Sequence, residues 1–162
     1  MKTLLIIRHG DTEWKSTDGM DFSRALNPLG IKEAEDISQQ LLDNKFVVDY
    51  IIYSTALRTF QTAEIIANAC SISENNRMAE PSLYLANSDK IEELVSHFPD
   101  AFNTIAIVAH NPGVTDYSNT LASHAFMYSM PTCAVVAVSS NVNNWVDFST
   151  DKKELLFALS PR

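Results

Sequence analysis

Four short apolar runs divide this chain: residues 3–7, 47–53, 104–109 and 133–138. Each is short, continuous and bounded by polar punctuation, the pattern of a strand buried on both faces. Helical periodicity fills the intervals. Ile31, Ala34, Ile37 and Leu41 recur three or four positions apart behind Asn27-Pro28, an N-cap followed by proline at the first helical position. Leu57, Phe60, Ala63 and Ala67 mark a second helix over 56–70, with Ser54-Thr55 as its cap. A short helix is expected over 90–98. Asn111-Pro112 repeats the cap-plus-proline signal for a helix reaching about Ser123. Residues 71–87, polar and interrupted by Pro81, read as an irregular loop. Two further strand candidates, 145–148 and 155–159, follow an Asn-rich turn at 141–144.

Strands alternating with helices predict an α/β fold: a mainly parallel central sheet with helices on both faces. Strand after strand at the end predicts an antiparallel edge. A length of 162 residues fits one domain over 1–162, and no repeat or linker interrupts it. Composition narrows the class. With 46% hydrophobic and 20% charged residues the chain can build a packed core, and two cysteines cannot form a disulfide scaffold. The net charge of −8 argues against nucleic acid and anionic membranes as partners. No run approaches the ~20 apolar residues of a membrane span, and the run before Arg8 is too short for a signal segment. The expectation is a cytoplasmic chain with reduced thiols.

In such sheets ligands sit outside the carboxyl ends of the strands. After the first predicted strand come Arg8, His9 and Gly10. Ser54 follows the second, with Arg58 one helical turn on, and His110-Asn111 follows the third. Two arginines and two histidines therefore arrive at one rim. Guanidinium forks match phosphate oxygens, helix N-termini add donors, and a neutral imidazole can attack phosphorus and carry it. Gly10 suits a tight turn with close backbone approach. Asp21 and Arg24 are placed to pair over the site as a surface ion pair worth ~0–1 kcal/mol, and are not read as catalytic. Trp14 either borders the pocket or covers core. His97 and His124 lie outside the rim motifs. Cys70 and Arg77 miss the spacing of a cysteine-phosphatase loop by one residue, and Cys133 reads as strand core.

Arg8-His9-Gly10 after the first strand, the segment STALRTFQTA from Ser54 to Ala63, and Ala109-His110-Asn111-Pro112-Gly113 together resemble the histidine phosphatase, or phosphoglycerate mutase-like, superfamily. Residues 21–27 and 130–135, Trp145 and the terminal Pro161-Arg162 look most like its short bacterial SixA-type branch, which acts on phosphohistidine in signalling proteins. The resemblance implies a minimal version of the fold without a large cap, His9 as the nucleophile that becomes phosphohistidine, Arg8 and Arg58 as phosphate clamps, and His110 as the group that neutralises the transferring phosphoryl. Gly10 and Asn111 are expected to help bind substrate. No metal and no cofactor are implied. Larger relatives carry a glutamate that protonates an alkoxide leaving group. Here the nearest candidate is Glu80, with a solvated loop charge as its plain alternative and Asp11 and Glu13 as outside possibilities.

The activity so implied is a metal-independent phosphatase acting on phosphohistidine in a partner protein, with phosphate or sulfate as an ion the site would hold. A phosphatase for small phosphomonoesters and a non-catalytic phosphoprotein-binding module are the alternatives. About twenty residues between the predicted helix ending near Cys70 and the next at Lys90 leave little room for a small-molecule cap.

Overall fold

The computed structural model describes residues 1–122 and 127–162. Among the described residues six strands form one sheet: β1 (Lys2–Arg8), β2 (Tyr50–Ser54), β3 (Arg77–Glu80), β4 (Thr104–Ala109), β5 (Val135–Ser140) and β6 (Lys153–Leu159), in the spatial order β3-β2-β4-β1-β5-β6. The pairs β2·β3, β2·β4 and β1·β4 are parallel, and β1·β5 and β5·β6 are antiparallel. The expected α/β fold with an antiparallel edge is what forms. Strand β1 shows why its sequence lacks alternation: Leu5 and Ile7 pack into one core, Leu4 and Ile6 into the other, and all four are fully buried. Fully burying such a side chain contributes ~1.5–3 kcal/mol. Helices α1 (Pro28–Asp43) and α2 (Leu57–Ala69) cover the Leu5 face, and α3 (Ser88–Ser96) and α4 (Gly113–Leu121) the Leu4 face.

Several boundaries differ from expectation for identifiable reasons. Residues 77–80, read as loop, form the edge strand β3, whose Met78 and Ala79 are exposed, so no apolar run announces it. Residues 145–148 are not a strand. Trp145–Asp147 is a 3-10 turn in which Trp145 and Phe148 are buried while Val146 is 62% exposed, an i, i+3 pattern rather than alternation. Strand β2 begins at Tyr50 because Val47 lies in solvent. Asn87, not a residue nearer Lys90, caps α3 by accepting from Lys90 N. Ile31 and Phe60 are exposed, and on α2 the polar Arg58, Thr59 and Thr62 turn inward in place of Phe60. Helix α4 ends at Leu121, short of the end expected near Ser123, and Ser123 and His124 lie outside the described residues.

Candidate active site

Parallel pairing puts the carboxyl ends of β1, β2, β3 and β4 on one rim, and the four predicted residues meet there. His9 is anchored by its backbone, its N–H donating to Ala109 O and its carbonyl accepting from Cys133 N. That locks it between the ends of β1 and β4 and the approach to β5. The His9 and His110 ring centroids are 5.4 Å apart, tilted by 58°. His9 Nδ1 lies 2.7 Å from Gly10 O. A carbonyl can only accept, so Nδ1 carries the proton and Nε2 presents its lone pair. Arg58 Nε donates to that Nε2 at 3.3 Å. Gly10 is required: a Cβ on it would sit 2.7 Å from Gly30 O, and its N–H donates to Thr62 Oγ1.

The two arginines and His110 are held from several elements. Arg58, 3% exposed on the first turn of α2, donates from Nη1 to Asp21 O at 2.7 Å and from Nη2 to Asp21 Oδ2 at 2.9 Å. Arg8 donates from Nη1 to Met130 O, and Asn111 Nδ2 donates to the same carbonyl. His110, 2% exposed, places Nε2 at 2.8 Å from Ser54 Oγ, and the edge of Tyr84 packs on its ring. Of the three buried side-chain polar atoms without a hydrogen-bond partner among the described residues, two belong here: Arg8 Nε and His110 Nδ1. Buried polar groups are rarely left unpaired. A groove of about 630 Å³ at the opposite end of the sheet, beside Met1 and Lys153, contains none of these residues.

Electrostatics keep both imidazoles neutral. Burial brings His9 down to about 4, opposed by its bond to Gly10 O and reinforced by Arg58, Arg8 and Arg24. Burial, then Arg58 and His9, bring His110 down to about 3, with Asp21 opposing. Partial burial raises the Asp21 carboxyl, but hydrogen bonds from Arg58, Tyr84 and Arg24 outweigh it and bring Asp21 down to about 2. A neutral imidazole beside fixed cations, on an otherwise acidic chain, suits an oxyanion that approaches with its own charge.

The other predicted residues are placed less directly. Glu80 pairs in register with Ser54, so it reaches the same rim, yet its carboxylate accepts from Ser82 N and caps the turn Pro81–Leu83. Hydrogen bonding to Ser82 holds it below the ordinary glutamate range. Asn111 does not cap α4. Its Oδ1 accepts from Thr115 Oγ1, and its Nδ2 donates to Ser129 Oγ as well as Met130 O. Trp14 is 86% exposed and covers no core. Sequence reasoning expected the Asp21–Arg24 pair, present at 3.1 Å, but missed that Asp21 holds Arg58 and accepts from Tyr84. It also missed Ser54 as the partner of His110 and Thr62 as the acceptor for Gly10. The signal was available on α2, where Arg58, Thr59 and Thr62 share a turn against the rim.

Residues 4–122 match the histidine phosphatase superfamily (branch 1), and the chain belongs to that family. Among curated proteins it is similar to a protein assigned as phosphoglycerate mutase GpmB from Proteus mirabilis, 36% identical over 73 residues, 43% of this chain. The chain spans only 33% of that relative's length. Its fold resembles a protein assigned as phosphohistidine phosphatase SixA from Agrobacterium tumefaciens (TM-score 0.83, 23% identity, 99% of this chain and 98% of the other). It equally resembles the protein histidine phosphatase SixA complexed with tungstate (TM-score 0.82, 18% identity, 98% and 97% covered). The likeness to these two is one of fold.

Proposed function

We propose that this chain is a phosphatase that removes the phosphoryl group from phosphohistidine on a protein, through a covalent intermediate on His9. The observation that carries the reading is the lone pair of His9 Nε2 set beside Arg58, with the unpartnered Arg8 Nε and His110 Nδ1 at the same rim. A tetrahedral oxyanion would satisfy both, and tungstate in the SixA structure is such an ion.

In the first step Nε2 attacks phosphorus while the bond from phosphorus to the substrate imidazole breaks, and that imidazole leaves as a neutral ring with its proton. The His9 ring gains positive charge as it bonds phosphorus, and Nδ1–H donating to Gly10 O stabilises it. Arg8, Arg58 and His110 stabilise the equatorial oxygens, where most catalysis of phosphoryl transfer arises. In the second step water attacks, the P–Nε2 bond breaks, phosphate and a proton are released, and neutral His9 is restored. Neither step requires a metal. Among the described residues no group of three or more His, Cys, Asp or Glu is arranged to hold one. An imidazole leaves without a strong acid, which agrees with the engagement of Glu80 as a turn cap.

The test compares kcat/KM on a phosphohistidine protein and on an alkyl sugar phosphate, with EDTA present. The phosphohistidine protein should be much the better substrate, His9→Ala should abolish turnover, and Glu80→Gln should cost less than about tenfold. A fast sugar-phosphate reaction that falls ~10²–10⁴-fold in Glu80→Gln would make Glu80 the acid and the chain a small-molecule phosphatase.

A further inference from the structure

The two imidazoles are held by different ring nitrogens, and only His9 has a backbone carbonyl to fix its proton. For His110 that work falls to Ser54. Ser54 ends β2 and is fully buried. Its Oγ accepts from Ala56 N at 3.4 Å and lies 2.8 Å from His110 Nε2. The hydroxyl has one proton to donate, and among the described residues His110 Nε2 is the acceptor within its reach. If Nε2 carried the imidazole proton, it would donate to Oγ and the serine O–H would have to turn away from it. The serine proton would then be stranded in a buried position, a desolvation cost with no compensation. Nδ1, the other nitrogen, is itself buried and has no partner on the protein. In that alternative it would present a bare lone pair to an incoming anion.

We infer that Ser54 is a positioning residue that donates its hydroxyl proton to His110 Nε2 and thereby holds the His110 proton on Nδ1, the nitrogen left free to donate to a phosphoryl oxygen. His9 and His110 then share one tautomer but offer opposite functions. His9, held by Gly10 O, turns a lone pair toward phosphorus; His110, held by Ser54, turns an N–H toward oxygen. The tautomer assignment stands on hydrogen-bond geometry alone, whereas its catalytic consequence rests on the phosphatase reading above.

The experiment is a long-range ¹H–¹⁵N correlation on the whole protein with ¹⁵N-labelled histidine, near neutral pH, the His110 signals being identified by their loss in His110→Asn. The expected spectrum shows His110 protonated at Nδ1 and unprotonated at Nε2. In Ser54→Ala it should shift toward the Nε2–H form, while kcat on the phosphohistidine protein falls about tenfold and KM changes less than about twofold. Ser54→Thr, which keeps the hydroxyl, should retain the Nδ1–H spectrum. The wild-type spectrum decides the matter even if a variant fails to fold: protonation at Nε2 overturns the inference, as does a tautomer unchanged in folded Ser54→Ala. An Nδ1–H spectrum with no turnover would leave the assignment standing and overturn the phosphatase reading alone.

Discussion

Replacing Gly30 by alanine tests whether helix α1 sets the position of His9. Gly30 lies in the first turn of α1, where its N–H donates to the Asn27 cap at 2.8 Å. A Cβ there would lie 2.0 Å from Asp11 O and 2.6 Å from Asp11 N, against an ordinary contact of 3.4–4 Å. The obstacle is backbone, so something must move by more than 1 Å. Asp11 is two residues past His9 and cannot swing aside alone: its N–H donates to Glu33 Oε2, its carbonyl accepts from Asn27 N, and its carboxylate accepts from Asn27 Nδ2. The strain passes to Gly10, which also packs on this helix turn: a Cβ on Gly10 would sit 2.7 Å from Gly30 O. Overpacking costs ~1–3 kcal/mol, and the better helix propensity of alanine returns up to ~1 kcal/mol. A net loss of ~1–2 kcal/mol lowers Tm by roughly 2–8 °C in a domain of this size. Activity should suffer more than stability, because a misplacement of about 1 Å can cost ~10²-fold in rate. Thermal unfolding and kcat/KM on a phosphohistidine protein check both. A folded Gly30→Ala protein with wild-type kcat/KM would refute the idea that this backbone contact positions His9.

Three other outcomes follow from the site. Asp21→Ala should lower kcat by ~10–100-fold by releasing Arg58, and should cause little further loss in an Arg58→Ala background, measured as a double-mutant cycle; a rise in kcat would show instead that Asp21 obstructs the site. Stability should fall as pH drops from about 6.5 toward 4, because in that window the unfolded chain binds protons at His9 and His110 while the folded chain does not. Lowering His9 from 6.5 to about 4 corresponds to about 3 kcal/mol, read by urea unfolding across that range, and His9→Gln should flatten the profile. Thr62→Val removes the acceptor of the Gly10 N–H and should destabilise the protein by ~1–3 kcal/mol, with a loss of kcat that a mutation of an exposed α2 residue such as Phe60→Ser does not reproduce.

The strand sequences were legible because burial on both faces leaves one composition available to them. Residues 104–109 form β4 with the expected boundaries, and Asn27-Pro28 starts α1 as its cap and proline dictate. Order along the chain also placed Arg8, His9, Arg58 and His110 at one rim, since strands that run parallel must end together. Elements without an apolar run were not legible: β3 is an exposed edge strand, and the Trp145 turn hides two core side chains among polar ones. What tertiary structure alone decided was which atoms face one another. Ser54 reads as a helix cap until β2 and β4 lie side by side and its hydroxyl meets His110. Asp21 reads as a surface carboxylate until its loop folds onto Arg58 across 37 residues of chain. Gly30 has no visible reason to be glycine until the loop after His9 packs against it. Residue type and strand order fix which chemistry reaches the rim. Proton positions and the placement of the arginines depend on hydrogen bonds between distant segments, and those exist only once the chain is packed.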